Sequence, residues 1–259
     1  MKRVSVLVLF SIFLYSCGSN TDSKPETISG VYKLKNTGAT DQSDPQQKLQ
    51  YKIYTPSYYV QASVENDSSV MFGIGSYEII NDTIIEHNIY NTDNFDVKKD
   101  FKLVFSKSEN GYSQVASAMM NEATAASSKE EYDTISLNES ASNVDGLWQH
   151  VRTMSINGAD TSFLNTTEYV IFQSGHYLKA SRFVIDSAAN QYKNNFWYGT
   201  FSLNNKSFTS NCEFSSDSPS IGLKSTSSYL VNEKEGTMIQ INTGVAGGAT
   251  EYKSYRKVK

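Results

Sequence analysis

Two runs of this chain, each about one small domain long, match each other in order, and this duplication constrains the fold more than any other feature. A repeat sets the size of the folding unit, so it comes before every other reading. Residues 51–63 lie over residues 169–181 without a gap, from the shared Tyr-x-Ile start to the Ala62-Ser63 and Ala180-Ser181 ends. Phe72-x-x-Gly75 recurs as Phe196-x-x-Gly199, and an asparagine follows six residues later in each run, at Asn81 and Asn205. Gly30-Val31-Tyr32 opens the first run and Gly146-Leu147-Trp148 the second. The offset is 116 at the opening glycines, 118 at Ala62/Ala180, 124 at Gly75/Gly199 and 120 at Tyr132/Tyr252. Loop-sized drift around a near-constant offset is the mark of a duplicated domain.

The residues inside each run favour strands. Seventeen tyrosines and thirteen phenylalanines stand against four prolines, and aromatic side chains suit the pleated surface of a sheet. Alternating polarity predicts strands over 30–35, 49–54, 58–64, 75–80, 83–90 and 101–106. Asn81-Asp82 and Asn204-Asn205 sit between strands, where asparagine tolerates the left-handed backbone of tight hairpins. Glu109-Asn110-Gly111 and Glu233-Lys234-Glu235-Gly236 carry further hairpin signals. Many short strands with regular turns predict an all-β fold of antiparallel sandwiches or barrels. Residues 115–129, rich in Ala, Ser and Met, interrupt the pattern and are expected to form a helical lid or a loop.

The ends of the chain suggest an address. Met1-Lys2-Arg3 is followed by an apolar run from Val4 to Tyr15 and then Ser16-Cys17-Gly18, the parts of a secretory signal. That run is shorter than the ~20 residues needed to span a bilayer. Leu14-Tyr15-Ser16-Cys17 resembles a bacterial lipobox, which implies cleavage before Cys17 and lipidation of that cysteine. Gly18 is unlike the aspartate that retains many such lipoproteins at the inner membrane, which implies the outer membrane, on its periplasmic or its surface face. The expected division is 1–16 signal peptide, 17–27 lipidated cysteine and polar tether, 28–137 first barrel, 138–143 linker, and 144–259 second barrel. Loss of Lys2 and Arg3 leaves 21 basic against 27 acidic residues, a net charge of about −6. No basic stripe appears, which argues against nucleic acid. Membrane contact is expected through the lipid alone. With Cys17 lipidated only Cys212 remains, so each domain of ~115 residues must be held by its core, and that size suffices.

Gly-x-Trp at the head of a first strand resembles the calycin signature of lipocalins and fatty-acid-binding proteins. The closer likeness is to the lipocalin-like domains of secreted Bacteroidetes lipoproteins, carried here by Gly146-Leu147-Trp148, His176-Tyr177, Gly199-Thr200-Phe201 and residues 252–256. The resemblance implies two tandem lipocalin-like antiparallel β-barrels. It also implies closure of the second barrel by a basic residue of the last strand, Arg256, lying across Trp148. The first half departs from that pattern, with Tyr32 in place of the tryptophan.

Side chains on a strand alternate faces. With Trp148 inward, His150 faces inward too. The apolar parity of the next strand reads His176, Leu178 and Ala180, matching Tyr58, Val60 and Ala62, and these are expected inside. Glu86 and Cys212 fall on the predicted inner faces as well. The candidate ligand wall is therefore His150, His176, Phe201 and Cys212 in the second half, with Tyr58, Tyr77 and Glu86 in the first. No Gly-x-Ser-x-Gly elbow, His-Glu-x-x-His, phosphate loop or dinucleotide fingerprint is present, so neither enzyme activity nor a cofactor or metal is expected. Two functions compete. One is a lipid-anchored binding protein holding a small apolar or amphipathic ligand in a barrel. The other is a cell-envelope interaction module with filled barrels that binds a protein or glycan at its surface. Interior side-chain size separates them: small residues leave a cavity, and Tyr, Phe and Ile fill it.

Overall fold

The computed structural model describes residues 28–38, 48–65, 69–92, 99–116, 129–137, 142–164, 166–186, 191–245 and 248–259. The expected signal peptide, Cys17 and tether, residues 117–128 of the segment expected to be a lid or loop, and residues 138–141 of the expected linker lie outside them.

Each repeat is a closed antiparallel barrel of eight strands. The first runs β1 (Gly30–Gly38), β2 (Leu49–Tyr54), β3 (Tyr58–Glu65), β4 (Ser69–Ile80), β5 (Thr83–Asn91), β6 (Lys99–Ser108), β7 (Gly111–Ala116) and β8 (Lys129–Leu137), and β8 pairs back onto β1. The second runs β9 (Gly146–Asn157), β11 (Thr167–Gln173), β12 (His176–Asp186), β13 (Gln191–Asn204), β14 (Ser207–Ser215), β15 (Lys224–Asn232), β16 (Thr237–Val245) and β17 (Ala249–Lys257), closed by β9–β17 pairing. The sequence did not foresee β10 (Asp160–Leu164), a short hairpin partner of the far half of β9. The tandem barrels fit a calycin-like fold.

The matched residues of the repeat have matching physical reasons. Asn81 and Asn205 sit at φ 57° and 54°, the left-handed turn positions expected of them. Gly75 and Gly199 each face a register shift in the next strand, where a Cβ would collide with the carbonyl of His87 or of Asn211. The opening aromatic of each barrel donates to the carbonyl four residues back: Tyr32 OH to Ile28 O at 2.9 Å and Trp148 Nε1 to Val144 O at 2.6 Å. Each ring thereby seals one end of its barrel and ties down the entering chain.

The last strands align differently from the sequence reading. Trp148 pairs with Lys257, and Tyr32 pairs with Thr134, so the offset there is 123 and the true equivalent of Tyr132 is Tyr255. Arg256 is exposed beside Gln149, and it is the Lys257 ammonium that lies over the Trp148 ring, 5.4 Å from its centroid. The Lys257 stem also crosses Gly146, which stands at φ +124°, so the glycine of Gly-x-Trp makes room for it.

One further correction concerns which face is inside. Tyr58, Val60, Ala62, Leu178 and Ala180 were expected to line the lumens. They instead belong to a cluster built from both halves, with Val31, Tyr51, Ile53, Phe72, Ile74 and Tyr90 from the first and Leu147, Tyr169, Ile171, Phe196 and Tyr198 from the second. These are outward faces of β2, β3 and β4 against those of β11, β12 and β13. The strands here are apolar on both faces, one for the lumen and one for the other barrel, so alternation alone could not say which was which. The cluster is made of equivalent positions from the two repeats: Tyr51 matches Tyr169, Ala62 matches Ala180, and Phe72 matches Phe196. Tyr90 packs on Tyr169 at 5.2 Å, and their equivalents Phe214 and Tyr51 pack at 6.0 Å. The barrels thus meet face to face like the two halves of a symmetric dimer.

Candidate functional site

The inner face of the first barrel is filled. Tyr32, Tyr54, Tyr59, Tyr77, Tyr112 and Tyr132 pack with Ile84, Leu103 and Phe105, and Tyr54 and Tyr59 are 0 % exposed. Beyond this aromatic layer lies a buried polar chain. The Lys52 ammonium sits 3.2 Å from Glu86 Oε1 and 3.4 Å from Gln114 Oε1, and Tyr54 donates to the same Glu86 oxygen at 2.5 Å. Gln114 Nε2 and Tyr132 OH each donate to Glu130 Oε2 at 2.7 Å, Gln50 Nε2 donates to Tyr132 OH, and Tyr59 OH donates to Asn88 Oδ1. Burial, and next the Glu86 carboxylate, push the phenol of Tyr54 well up. Burial alone would raise Glu130. Lys52, Lys48 and the bonds from Tyr132 and Gln114 outweigh it and hold the carboxyl below its ordinary value. Each charge here is matched by a partner.

The second barrel is filled by the same logic. Trp148, Val170, Phe172, Tyr177, Phe208, Tyr229, Met238 and Tyr255 form its core, with Phe201 packed against them. Its polar half centres on Glu168, which is 5 % exposed. Tyr255 OH donates to Oε1 at 2.7 Å and Ser181 Oγ to Oε2 at 2.9 Å. The Tyr255–Glu168 bond repeats the Gln50–Tyr132 bond of the first barrel at equivalent positions. Burial again works against the charged form, and Lys179, Lys253 and the two hydroxyls overcome it, holding Glu168 at about 2. Lys179 lies 4.0 Å from Glu168 Oε2 and 4.0 Å from the centroid of the Trp197 ring.

The structure gives each residue of the expected ligand wall partners within the protein. His150 does face inward, but both ring nitrogens are engaged, with Thr166 O and Thr153 Oγ1, each at 2.9 Å. Phe201 is sandwiched among Phe172 and Phe208. Cys212 is buried beside Tyr177, and burial pushes its thiol up, away from the reactive thiolate. His176 is on the opposite face of the wall, stacked on Tyr198 and bonded to its hydroxyl at 3.0 Å, so it cannot activate Cys212. In the first half Tyr77 donates to Thr55 O at 2.8 Å, Glu86 is spent on Lys52 and Tyr54, and Tyr58 packs on the inter-barrel cluster. The polar chains were not read from the sequence because their partners are far apart in it, 82 residues for Gln50–Tyr132 and 87 for Glu168–Tyr255.

An open depression of about 270 Å³ lies at the sealed end of the first barrel, between Ile28, Ser29, Tyr32, Tyr112, Thr134 and Leu137, with Lys107 and Glu109 on its rim. Buried Tyr32 and Tyr112 form its floor and part it from the lumen. Among the described residues no three side chains of metal-binding type come together, and no helix is long and apolar enough to cross a membrane.

No family model matches this chain, and no curated protein matches it. Among solved structures it is similar to a DUF3598-family protein of unknown function from Nostoc punctiforme, at 7 % identity over 89 % of this chain and 96 % of that one, with a TM-score of 0.25. A likeness at that score carries no argument about function.

Proposed function

We propose that this protein is a lipid-anchored, non-enzymatic recognition module of a bacterial cell envelope, in which two filled barrels form a rigid scaffold and the partner, a protein or glycan, is bound at the surface. The observation that carries this reading is the packing of the lumens, where Tyr54, Tyr59 and Trp148 are at most 1 % exposed. A small apolar ligand would have to displace these rings or break the Lys52–Glu86 pair. Exposed apolar side chains support contact from outside. Phe163 and Leu164 on β10 and Val184 and Ile185 on β12 are 58 %, 55 %, 56 % and 64 % exposed, and large apolar groups held in water favour association. The lipobox at Cys17 supports the anchor, and the absence of paired catalytic groups at Cys212 and His176 supports a role in binding.

Native mass spectrometry of protein purified from its own host tests the reading. The expected result is a single species at the mass of the lipidated chain. A co-purifying small molecule that is lost when Tyr229→Trp further crowds the lumen would replace surface recognition with ligand carriage.

A further inference from the structure

Both barrels close on themselves, and β10 is the one strand among the described residues that pairs on a single side only. All five of its residues are exposed. Soluble proteins guard a free edge with lysine, proline or a bulge; Asp160–Leu164 has no basic residue and no proline. β10 prolongs β11 along their shared partner β9, but it parts from β12. The β11–β12 register ends at Thr167 and Arg182, and carried further it would set Leu164 against Ile185. No pairing joins those two, and beyond Arg182 the strand β12 bonds to β13 alone. A seam therefore opens in the wall, between two edges whose backbone groups no strand of the described residues uses. Its lips are apolar on both faces. Leu164 is in register with buried Thr153, and Ile185 shares the parity of Ser181, which bonds Glu168 inside the barrel. These two face the lumen side, yet are 55 % and 64 % exposed, and Phe163 and Val184 take the other face at 58 % and 56 %. Val184 pairs with Tyr192 as Ala180 pairs with Phe196, so this outer face continues the one buried against the first barrel. The repeat marks the β12 lip as an addition. Ala180 and Phe196 are sixteen positions apart, and their equivalents Ala62 and Phe72, paired in the same way, only ten. The first barrel closes without the extra length, so closure does not explain it.

We infer that the seam between β10 and the outer end of β12 binds an extended, apolar segment of a partner protein, which adds to the sheet as a strand. The free edge of β10 supplies the backbone bonds, as in strand addition generally, and the outer end of β12 bounds the other side. Successive side chains of the guest alternate between Leu164 and Ile185 on the lumen side and Phe163 and Val184 on the outer side. The guest is therefore apolar on both faces. β11 already has that pattern, with Val170 and Phe172 inward and Tyr169 and Ile171 against the first barrel. A glycan has no backbone ladder to offer and would set hydroxyls against these apolar lips. The site rests on the reading of surface recognition and names its partner. Its failure would leave that reading standing, because the filled lumens have their own test in native mass spectrometry.

Fluorescence anisotropy on the full chain tests this. The probe is a fluorescein-labelled peptide with the β11 sequence, residues 167–173, between flanking lysines. Its control is the same peptide N-methylated throughout, which keeps every side chain and loses every backbone donor. Saturable binding of the probe is expected, about tenfold or more tighter than that of the control. Amide exchange over residues 160–164 should slow when the probe binds. Phe163→Lys and Ile185→Lys each put a guarding charge on one lip and are expected to weaken binding about tenfold or more. Both positions are exposed, so the melting temperature should stay within a few degrees. Leu230→Lys, at an exposed apolar position on β15, is the control and is expected to leave binding unchanged. No saturable binding, equal binding of the methylated peptide, or unchanged affinity in both lip variants would each overturn the site. So would exchange over 160–164 that slows with chain concentration alone, because the edge would then pair with a second copy of this chain.

Discussion

Tyr51 of the first barrel lies flat on Tyr198 of the second, ring centroids 3.9 Å apart and planes 14° from parallel. Both rings are buried, at 7 % and 1 % exposed, although neither points into its own barrel. The pair lies in a face that the duplication made self-complementary, and it is expected to couple the two barrels into one cooperative unit. Tyr198→Ala removes the stack, the bond to His176 and a large buried ring. The expected cost is about 3–5 kcal/mol. Calorimetry should then show two transitions in place of one, because the lost contact belongs to the interface and not to either core. A single transition that merely shifts down would argue against a shared face.

The sealing aromatics give a second test. Trp148→Phe keeps most of the ring but loses the bond to Val144 O, and Tyr32→Phe loses the bond to Ile28 O. Each should cost about 1 kcal/mol, as one buried hydrogen bond with an acceptor left over. Trp148→Ala should cost about 3–5 kcal/mol. Chemical denaturation with an unchanged slope would verify all three.

Much of this architecture was legible in the sequence, and the part that was not has a common cause. Strands over 49–54 and 83–90, the hairpin asparagines and the two-barrel repeat follow from local chemistry: side-chain alternation, left-handed tolerance and recurring motifs. What was misread depends on contacts distant in sequence. Leu178 and Ala180 look like lumen residues because burial against a second barrel leaves the same apolar imprint as burial in a lumen. Arg256 and Lys257 are adjacent cations, and only the register of β17 on β9 decides which one meets Trp148.

The buried pair of the first barrel supports a mutant cycle. Lys52 is 1 % and Glu86 2 % exposed, so removing one leaves the other charged and dry. Lys52→Met alone and Glu86→Leu alone should each cost about 3–5 kcal/mol, and the double variant carrying both substitutions should recover most of that loss. Urea melts of the three variants check it. Additive losses would show that the two charges are not coupled.

The proposed lipid anchor at Cys17 carries a prediction about address. A lipid chain stabilises membrane attachment by about 0.8 kcal/mol per buried methylene, and no basic patch on this acidic chain substitutes for it. Cys17→Ser should therefore move the protein from the membrane pellet to the soluble fraction. Cys212→Ser should leave it in the pellet. If Cys17→Ser still floated with membranes, the anchor would lie elsewhere.

Acid is expected to weaken the second barrel through Glu168. Its folded value, about 2, is below the ordinary 4.5. A depressed carboxylate contributes its stability above the ordinary value and loses it as the pH falls towards the folded one. The loss therefore runs from about pH 4.5 to about pH 2, and nothing changes through this group above that window. The shift corresponds to roughly 3 kcal/mol. Protonation would break the attraction to Lys179 and Lys253 and weaken the two hydroxyl bonds that the carboxylate accepts. Glu130 contributes an acid loss of the same sign from the first barrel, so the measurement must be a difference. Unfolding free energies of the full chain at about pH 7 and about pH 3 should fall more steeply than those of Glu168→Gln, which lacks the titrating group at the same position. Parallel pH profiles in the two proteins would mean that Glu168 is not held below its ordinary value.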